Sequence, residues 1–374
     1  MQTRIVVLGG YGHFGGRICR ALANDSNLSL VVAGRNLTAA SNFVRQLDGA
    51  AANCIPSAID YTAEDLGARL RDLRPNLVIH TSGPFQGQSY RVARATIEAG
   101  SHYVDLADGR AFVTGITTLD GAARDKHVVV TSGASTLPAL SGAVIDHLRP
   151  PFARIESIAI SIAPGQATPR GLATMEAILS YCGRPFLERN DGRWRRVYGW
   201  QGLRRIRYPD LGIRWAARCD VPDLELWPEL IPTLRTVRFD AALENVASHV
   251  GLWSLAWLVR AGLVRRPEAF ARTMLGAARR LDRLGTDTGG MHVRIEGILH
   301  SGVAAYREWQ LTARNGHGPE IPCIPAIVLA RKLARGEPIA PGARPCLGMM
   351  TLDEFTDAVS HLDINWRLRD EGNA

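Results

Sequence analysis

Ile5-Val6-Val7-Leu8-Gly9-Gly10-Tyr11-Gly12-His13-Phe14-Gly15-Gly16 is the stretch that decides how this chain reads. Its first four residues are apolar and mostly β-branched, the composition of a strand buried on both faces. Gly10, Gly12 and Gly15 then fit G-x-G-x-x-G, and residues 17–23 have helical composition with Ile18 and Leu22 four apart. In that setting the first glycine permits the tight turn and the second lets the backbone approach a pyrophosphate. The third lets the helix pack closely on the strand. The helix N-terminus adds unpaired N–H groups and a partial positive charge. Alone, the motif also describes an ordinary glycine-rich turn. Its place between a buried strand and a helix favours phosphate binding.

Working outward, residues 28–33 read as the second strand, closing at Gly34-Arg35-Asn36. A site for a free ribose 2′-hydroxyl carries Asp or Glu about 20 residues past the glycines. The nearest acids here are Asp25 and Asp48, and Arg35 stands at the position instead. A guanidinium matches a 2′-phosphate in geometry and charge, so the chemistry predicts NADP rather than NAD. Strands over 55–60, 77–80, 103–106 and 128–131 alternate with helices over 65–73, 89–99 and 114–126. That alternation predicts an α/β fold, a Rossmann-type doubly wound parallel sheet over residues 1–135. Ligands of such sheets bind beyond the carboxyl ends of the strands, which puts the glycine loop, Arg35, Asp60, Ser82 to Phe85 and Asp105 on one rim.

These residues carry a resemblance. The runs G-G-Y-G-H-F-G-G (9–16), S-G-P-F-Q-G-Q-S (82–89) and I-E-A-G-S-H-Y-V-D-L-A-D (97–108) resemble the saccharopine dehydrogenase-like NADP-binding family. Beyond residue 135 the similarity thins to His317-Gly318-Pro319-Glu320-Ile321-Pro322 and Gly348-Met349-Met350-Thr351-Leu352-Asp353. The resemblance implies cofactor contacts from Gly10, Gly12, Gly15, Arg35, Asp60, Ser82, Gly83, Pro84 and Phe85, to which Tyr11, His13, Phe14 and Asn36 are added by position. It also implies an NADP(H)-dependent oxidoreductase acting on an amino-acid-like or imine substrate, and it leaves that substrate open.

The remainder predicts a second, α+β domain over 136–325 on a mainly antiparallel sheet, then a helical segment over 326–374 packing back on the first domain. Its clearest element is a hairpin: Val293 and Ile295 alternate with Arg294 and Glu296, and His300-Ser301-Gly302 turns into 303–313. Thr351-Leu352-Asp353-Glu354 is a capping-box start for a last helix. Residues 246–264 are rich in Trp and Leu, but Arg260, Arg265 and Arg266 interrupt or flank them, which argues against a membrane span. A buried helix, a homodimer contact and an interfacial membrane anchor remain as readings of that segment.

Composition bounds the function. The chain has 374 residues, 46% hydrophobic and 21% charged, enough for two globular domains. Its six cysteines are scattered without a C-x-x-C pair, which fits a reducing cytoplasm and argues against a zinc site. Met1-Gln2-Thr3-Arg4 leads straight into the first strand, leaving no room for a signal peptide. The net charge is +8, carried by arginine except at Lys126 and Lys332, which suits an anionic small-molecule substrate. Arginines are densest between Arg184 and Arg218, where a solvated face or an anion pocket is favoured over nucleic-acid binding.

No Y-x-x-x-K pair, H-E-x-x-H motif or G-x-S-x-G elbow is present, so no metal is expected and a hydrolase has no support. The rim offers Asp105, Asp108, Tyr103 and His102. Asp105, which ends a strand, is the candidate catalytic residue, with a loop hydrogen bond as its alternative role. Ser135 and Thr136 are candidate substrate donors or caps, and either Arg170 or Arg184 can clamp a carboxylate. The lack of a recognisable proton-transfer pair keeps open a dinucleotide-binding protein without turnover, a sensor or scaffold.

Overall fold

A computed structural model describes residues 2–47 and 49–372, with side chains through residue 370; Met1 and Asp48 lie outside the described residues. Two compact units form, residues 1–140 with 320–350, and residues 141–319 with 351–374.

The first unit begins with β1 (Thr3–Leu8), α1 (Gly15–Leu22), β2 (Leu28–Gly34), α2 (Leu37–Arg45), β3 (Asn53–Ala58), α3 (Leu66–Leu73), β4 (Leu77–His80) and α4 (Arg91–Glu98). It continues through β5 (His102–Asp105), α5 (Arg110–Thr114), α6 (Asp120–Asp125) and β6 (Val129–Ser132). The chain then builds the second unit. Its elements are α7 (Ser141–Leu148), β7 (Phe152–Ala163), α8 (Leu172–Tyr181), β8 (Pro185–Asn190), β9 (Arg193–Tyr198), β10 (Arg204–Tyr208) and β11 (Gly212–Arg218). There follow α9 (Asp223–Leu230), β12 (Thr236–Ala242), α10 (Val246–Arg260), α11 (Ala271–Leu281), β13 (Gly289–Leu299) and β14 (Ala304–Ala313). Next, α12 (Ile324–Ala334) and β15 (Gly342–Pro345) return to the first unit, and α13 (Leu352–Val359) and β16 (Ile364–Gly372) complete the second.

The first sheet runs β15-β6-β5-β4-β1-β2-β3, parallel throughout. β2 and β4 are buried from end to end and β1 from Ile5 to Leu8, whereas the edge strand β3 stays half exposed. On one face Val6, Val31 and Val78 pack with Leu66 and Leu70 of α3 and Val92 and Ile97 of α4. Pro345, which cannot donate to a ladder, sits on the other edge strand, β15.

The second sheet runs β10-β11-β12-β7-β13-β14-β16, with β7 and β12 parallel and the other neighbours antiparallel. Burial alternates along β13, with Met291, Val293 and Ile295 inward and His292, Arg294 and Glu296 on the opposite face.

Two expectations about the chain's course are corrected. The division falls after Leu140 rather than at residue 135, because the turn from β6 and the short helix after it belong with the first sheet. The stretch 326–374 is not one helical segment returning to the first domain. Only residues up to 350 return, α12 lying beside α1 with Arg331 donating to the Ala21 carbonyl at 3.1 Å. The capping box at Thr351 does form, but its helix belongs to the second unit, and the chain ends in the strand β16 paired with β14.

Candidate functional site

The parallel sheet reverses its strand order at β1, which has β2 on one side and β4 on the other. Both loops leaving the carboxyl ends of β1 and β4 meet there. The amides of Gly9 and Gly10 both donate to the Ala33 carbonyl at the end of β2, at 2.9 and 3.0 Å, and Gly12 closes onto the Gly9 carbonyl at 2.8 Å. Gly15 opens α1 so close to the loop that a Cβ on it would lie 2.2 Å from the Gly9 oxygen and 2.7 Å from Thr81 Oγ1. Thr81 binds the Leu8 carbonyl through both its amide (3.0 Å) and its hydroxyl (2.8 Å). Gly9 itself adopts φ +80°, and a side chain there would meet both Thr81 Oγ1 and Ser82 Oγ at 2.7 Å. The glycine loop and the Ser82–Phe85 loop are therefore one continuous rim. In the first turn of α1 the Gly16 amide donates to the Gly12 carbonyl at 2.9 Å and the Ile18 amide to the Phe14 carbonyl at 3.1 Å, so the helix opens directly out of the glycine loop.

Around that rim the expected residues divide. Gly12 is exposed and Gly10, Gly15 and Thr81 shape the cradle. Arg35 is exposed at the end of β2, close enough to Asp60 to help hold that carboxyl below its usual range. The larger cause is hydrogen bonding from the Thr62 amide and hydroxyl at 2.9 and 2.7 Å. Ser82, Gly83 and Pro84 stay partly exposed, with Gln88 donating to the Ser82 and Pro84 carbonyls at 2.9 and 2.7 Å.

Other expected ligands are engaged within the fold. Asn36 uses its side chain to cap α2, accepting from the Ala39 amide at 3.0 Å, and gives its own amide to the Tyr11 hydroxyl. Phe85 is 5% exposed, its ring packed against His80 and Phe112 at 5.1 and 5.3 Å. The ring of His13 lies edge-on to Phe14 at 4.8 Å, and burial, aided by the Arg17 guanidinium, pushes its pKa down to about 4. It is thus a neutral imidazole at pH 7. A cleft of about 480 Å³ opens beside this loop between α1 and α2, bordered by Tyr11, His13, Arg17, Arg20, Asn42 and Gln46.

Asp105 closes β5. It is fully buried, and its Oδ1 accepts from the Ala107 amide, the Gly133 amide and the Ser132 hydroxyl, each at 2.9 Å. Burial still outweighs those three donors and the Tyr103 hydroxyl beside them, and raises its pKa to about 6. This carboxyl fastens the turns after β5 and β6. Tyr103 is buried with its hydroxyl 3.2 Å from His80 Nδ1, and His102 accepts the Val129 amide at 2.9 Å. Asp108 is exposed and receives Gln86 at 3.0 Å. Of the four rim candidates, then, Tyr103 and Asp105 are buried, His102 is half-buried, and Asp108 is exposed at the chain surface although desolvation of its carboxyl pushes its pKa up.

Both clamp candidates of the second unit are likewise engaged. Arg170 pairs with Asp282 at 2.5 Å and Arg184 with Glu268 at 2.6 Å, so neither expected carboxylate clamp is unoccupied. In the arginine-dense stretch, Arg204 reaches the buried Asp240 at 2.8 Å, and Arg218 reaches Glu188 at 3.2 Å. The hairpin register also makes a pairing that sequence reading missed, His292 Nε2 at 2.9 Å from Glu308 Oε1, with Arg294 over the Tyr306 ring at 3.7 Å. The only signal was the alternation of β13 and β14, since the partners meet diagonally across the ladder. Among the described residues no group of His, Cys, Asp and Glu is arranged to hold a metal, and no helix is long and apolar enough to cross a membrane.

A buried parallel sheet, a glycine loop opening a helix, and a second loop meeting it at the switch point define the first unit as a Rossmann-type dinucleotide-binding fold. More narrowly, residues 5–146 match the family model of the saccharopine dehydrogenase NADP binding domain. No curated protein matches the chain. Among solved structures, apo histidine-tagged saccharopine dehydrogenase (L-Glu forming) from Saccharomyces cerevisiae matches with a TM-score of 0.68 at 13% identity. The match covers 99% of this chain and 100% of that one and shows a shared fold. An amine dehydrogenase from Mycobacterium smegmatis also aligns, with a TM-score of 0.45 at 10% identity over 92% of this chain and 95% of its own.

Proposed function

We propose that the chain is an NADP(H)-dependent oxidoreductase that moves a hydride to or from an amino-acid-like or imine substrate. The observation that carries this reading is the rim itself: a glycine cradle that side chains would fill, at the switch point of a parallel sheet, with Arg35 where a ribose-binding acid would stand. The family match over residues 5–146 supports the same reading. The cofactor would supply the hydride chemistry. In this reading Gly10, Gly12 and Gly15 seat the pyrophosphate on α1, and Arg35 meets the 2′-phosphate. Ser82 to Pro84 border the reacting end, and Asp105 positions that rim rather than exchanging protons with substrate. The excess of arginine favours an anionic substrate.

A fluorescence titration of purified protein with NADPH and NADH, repeated on Gly12→Val, tests it. Tight NADPH binding abolished by the valine supports the proposal. No binding of either nucleotide overturns it. The engaged state of Asp105 and His102 favours one second reading, a dinucleotide-binding sensor or scaffold. NADPH binding without oxidation across amine and oxo-acid pairs would select that reading.

A further inference from the structure

We propose that the outer face of α10, with the arginine-rich chain that follows it, docks on an anionic lipid bilayer surface. Surface helices ordinarily turn charged residues to water. In α10 the exposed positions step along 246, 250, 254 and 258, and Val246, Val250, Trp257 and Leu258 are 55%, 48%, 44% and 44% exposed. Residues 246–259 contain no Asp, Glu, Lys or Arg. His249, Leu252 and Ala256 anchor the opposite side in the unit's interior, so the helix is fixed with its apolar side outward. The turn that follows carries Leu263, which is 74% exposed.

Charge selects the occupant. Between residues 246 and 284 stand seven arginines (260, 265, 266, 272, 279, 280 and 283) and two acids, Glu268 and Asp282. Both acids are already paired, with Arg184 and Arg170. A second copy on this face would bring its own Arg260, Arg265 and Arg266 against these three and, within residues 246–266, no carboxylate to meet them. Anionic headgroups supply the missing charge, while the acyl boundary accepts Trp and Leu. The Arg260 guanidinium lies 4.8 Å from the Trp257 ring centroid, an amphipathic pairing suited to headgroup depth. At fifteen residues α10 is about 22 Å long, short of the ~30 Å hydrocarbon core, so it would lie along the surface rather than cross it.

The test is flotation of the full chain with vesicles of phosphatidylcholine alone and of equal parts phosphatidylcholine and phosphatidylglycerol, at low and high salt. The chain is expected to float with the mixed vesicles at low salt, to be released by high salt, and to shift its tryptophan emission to the blue. Arg265→Gln with Arg266→Gln should weaken partitioning about fivefold per arginine removed. Trp257→Ser with Leu258→Ser should weaken it on the order of tenfold, since binding scales with buried apolar area. These four side chains are exposed, so unchanged circular dichroism is expected. Failure to float with mixed vesicles, or flotation unaltered in both variants, overturns the proposal. So does a dimer in sedimentation that the Trp257/Leu258 variant converts to monomer, which would make the face a self-interface.

Discussion

The Asn36 amide donates to the Tyr11 hydroxyl at 3.0 Å, and the Tyr11 ring lies over Gly34 so closely that a Cβ there would be 2.4 Å from it. With the phenolic oxygen accepting that N–H, the hydroxyl proton is expected to serve as a donor at the end of β2, where Arg35 is exposed. The arrangement gives the end of β2 two donors for an anion, one neutral and one charged. Tyr11→Phe is expected to weaken NADPH by about 1 kcal/mol and leave NADH unchanged. Arg35→Asp should cost NADPH about 1.5–3 kcal/mol, the scale of a charge-assisted contact. Titration of both nucleotides against both variants decides it, and NADPH affinity unaltered in Arg35→Asp would place the 2′-phosphate elsewhere.

Two glycines of the motif separate by what surrounds them. A Cβ on Gly15 would lie 2.2 Å from the Gly9 oxygen and 2.8 Å from the Gly9 carbon, both backbone atoms that yield only if α1 moves off the sheet. Gly15→Ala should therefore lower unfolding stability by about 1–3 kcal/mol and abolish nucleotide binding with it. On Gly12 the nearest atom is the Gly9 oxygen at 3.0 Å, and the residue is exposed. Gly12→Ala should leave stability within about 1 kcal/mol while weakening NADPH, because the new methyl faces the ligand's side of the loop. Urea unfolding beside NADPH titration resolves the pair, and equal stability loss in both would deny them separate roles.

The sequence showed the centre of the first sheet because β1, β2 and β4 hold largely apolar runs bounded by Gly, Asn or Pro, a pattern that local composition records. It did not show β15, four residues ending in proline whose strand character comes only from pairing with β6. In β16, Ile364, Trp366 and Leu368 alternate with Asn365, Arg367 and Arg369, so a period-two signal was present in a stretch read as helical. The site divided in the same way. Glycine spacing and Arg35 are local facts, whereas the commitment of Asp105 depends on Ser132 and Gly133, far along the chain. Nothing in the residues near Asp105 announces those partners. His292 and Glu308 likewise meet only once the hairpin register is set.

The buried histidine of β4 makes stability depend on pH in a predictable direction. His80 is 1% exposed, its Nε2 has no hydrogen-bond partner, and burial lowers its pKa from 6.5 to about 3. The unfolded chain takes this proton first as pH falls, so the neutral ring's contribution is complete above pH 6.5 and is lost progressively toward pH 3. Asp105 acts in the opposite sense. Its pKa rises from 3.8 to about 6, so its contribution is complete below pH 3.8 and is lost as pH rises through about 6. His80→Phe, set among the rings of Tyr61 and Phe85, removes the histidine term alone. Between pH 7 and pH 4.5 the wild type should lose about 2–3 kcal/mol more than the variant in urea unfolding. Matching losses would sink the assignment.

Asp105 itself separates a positioning role from a catalytic one. Its Oδ1 collects three donors, and an asparagine can present an oxygen in the same place. Asp105→Asn should therefore keep most of the stability, while Asp105→Ala strands two amides and a hydroxyl in the interior, at about 1–3 kcal/mol each before relaxation. If Asp105 only fastens the rim, turnover should follow the same order, with asparagine restoring most of the kcat lost in alanine and the pH profile unmoved. If it exchanges a proton with substrate, asparagine should be as inactive as alanine despite its stability, because an amide offers no titrating group near pH 6. Measuring kcat against pH alongside urea midpoints for both variants distinguishes the outcomes. Three donors already occupy Oδ1 in a fully buried setting, so the expected result is rescue by asparagine.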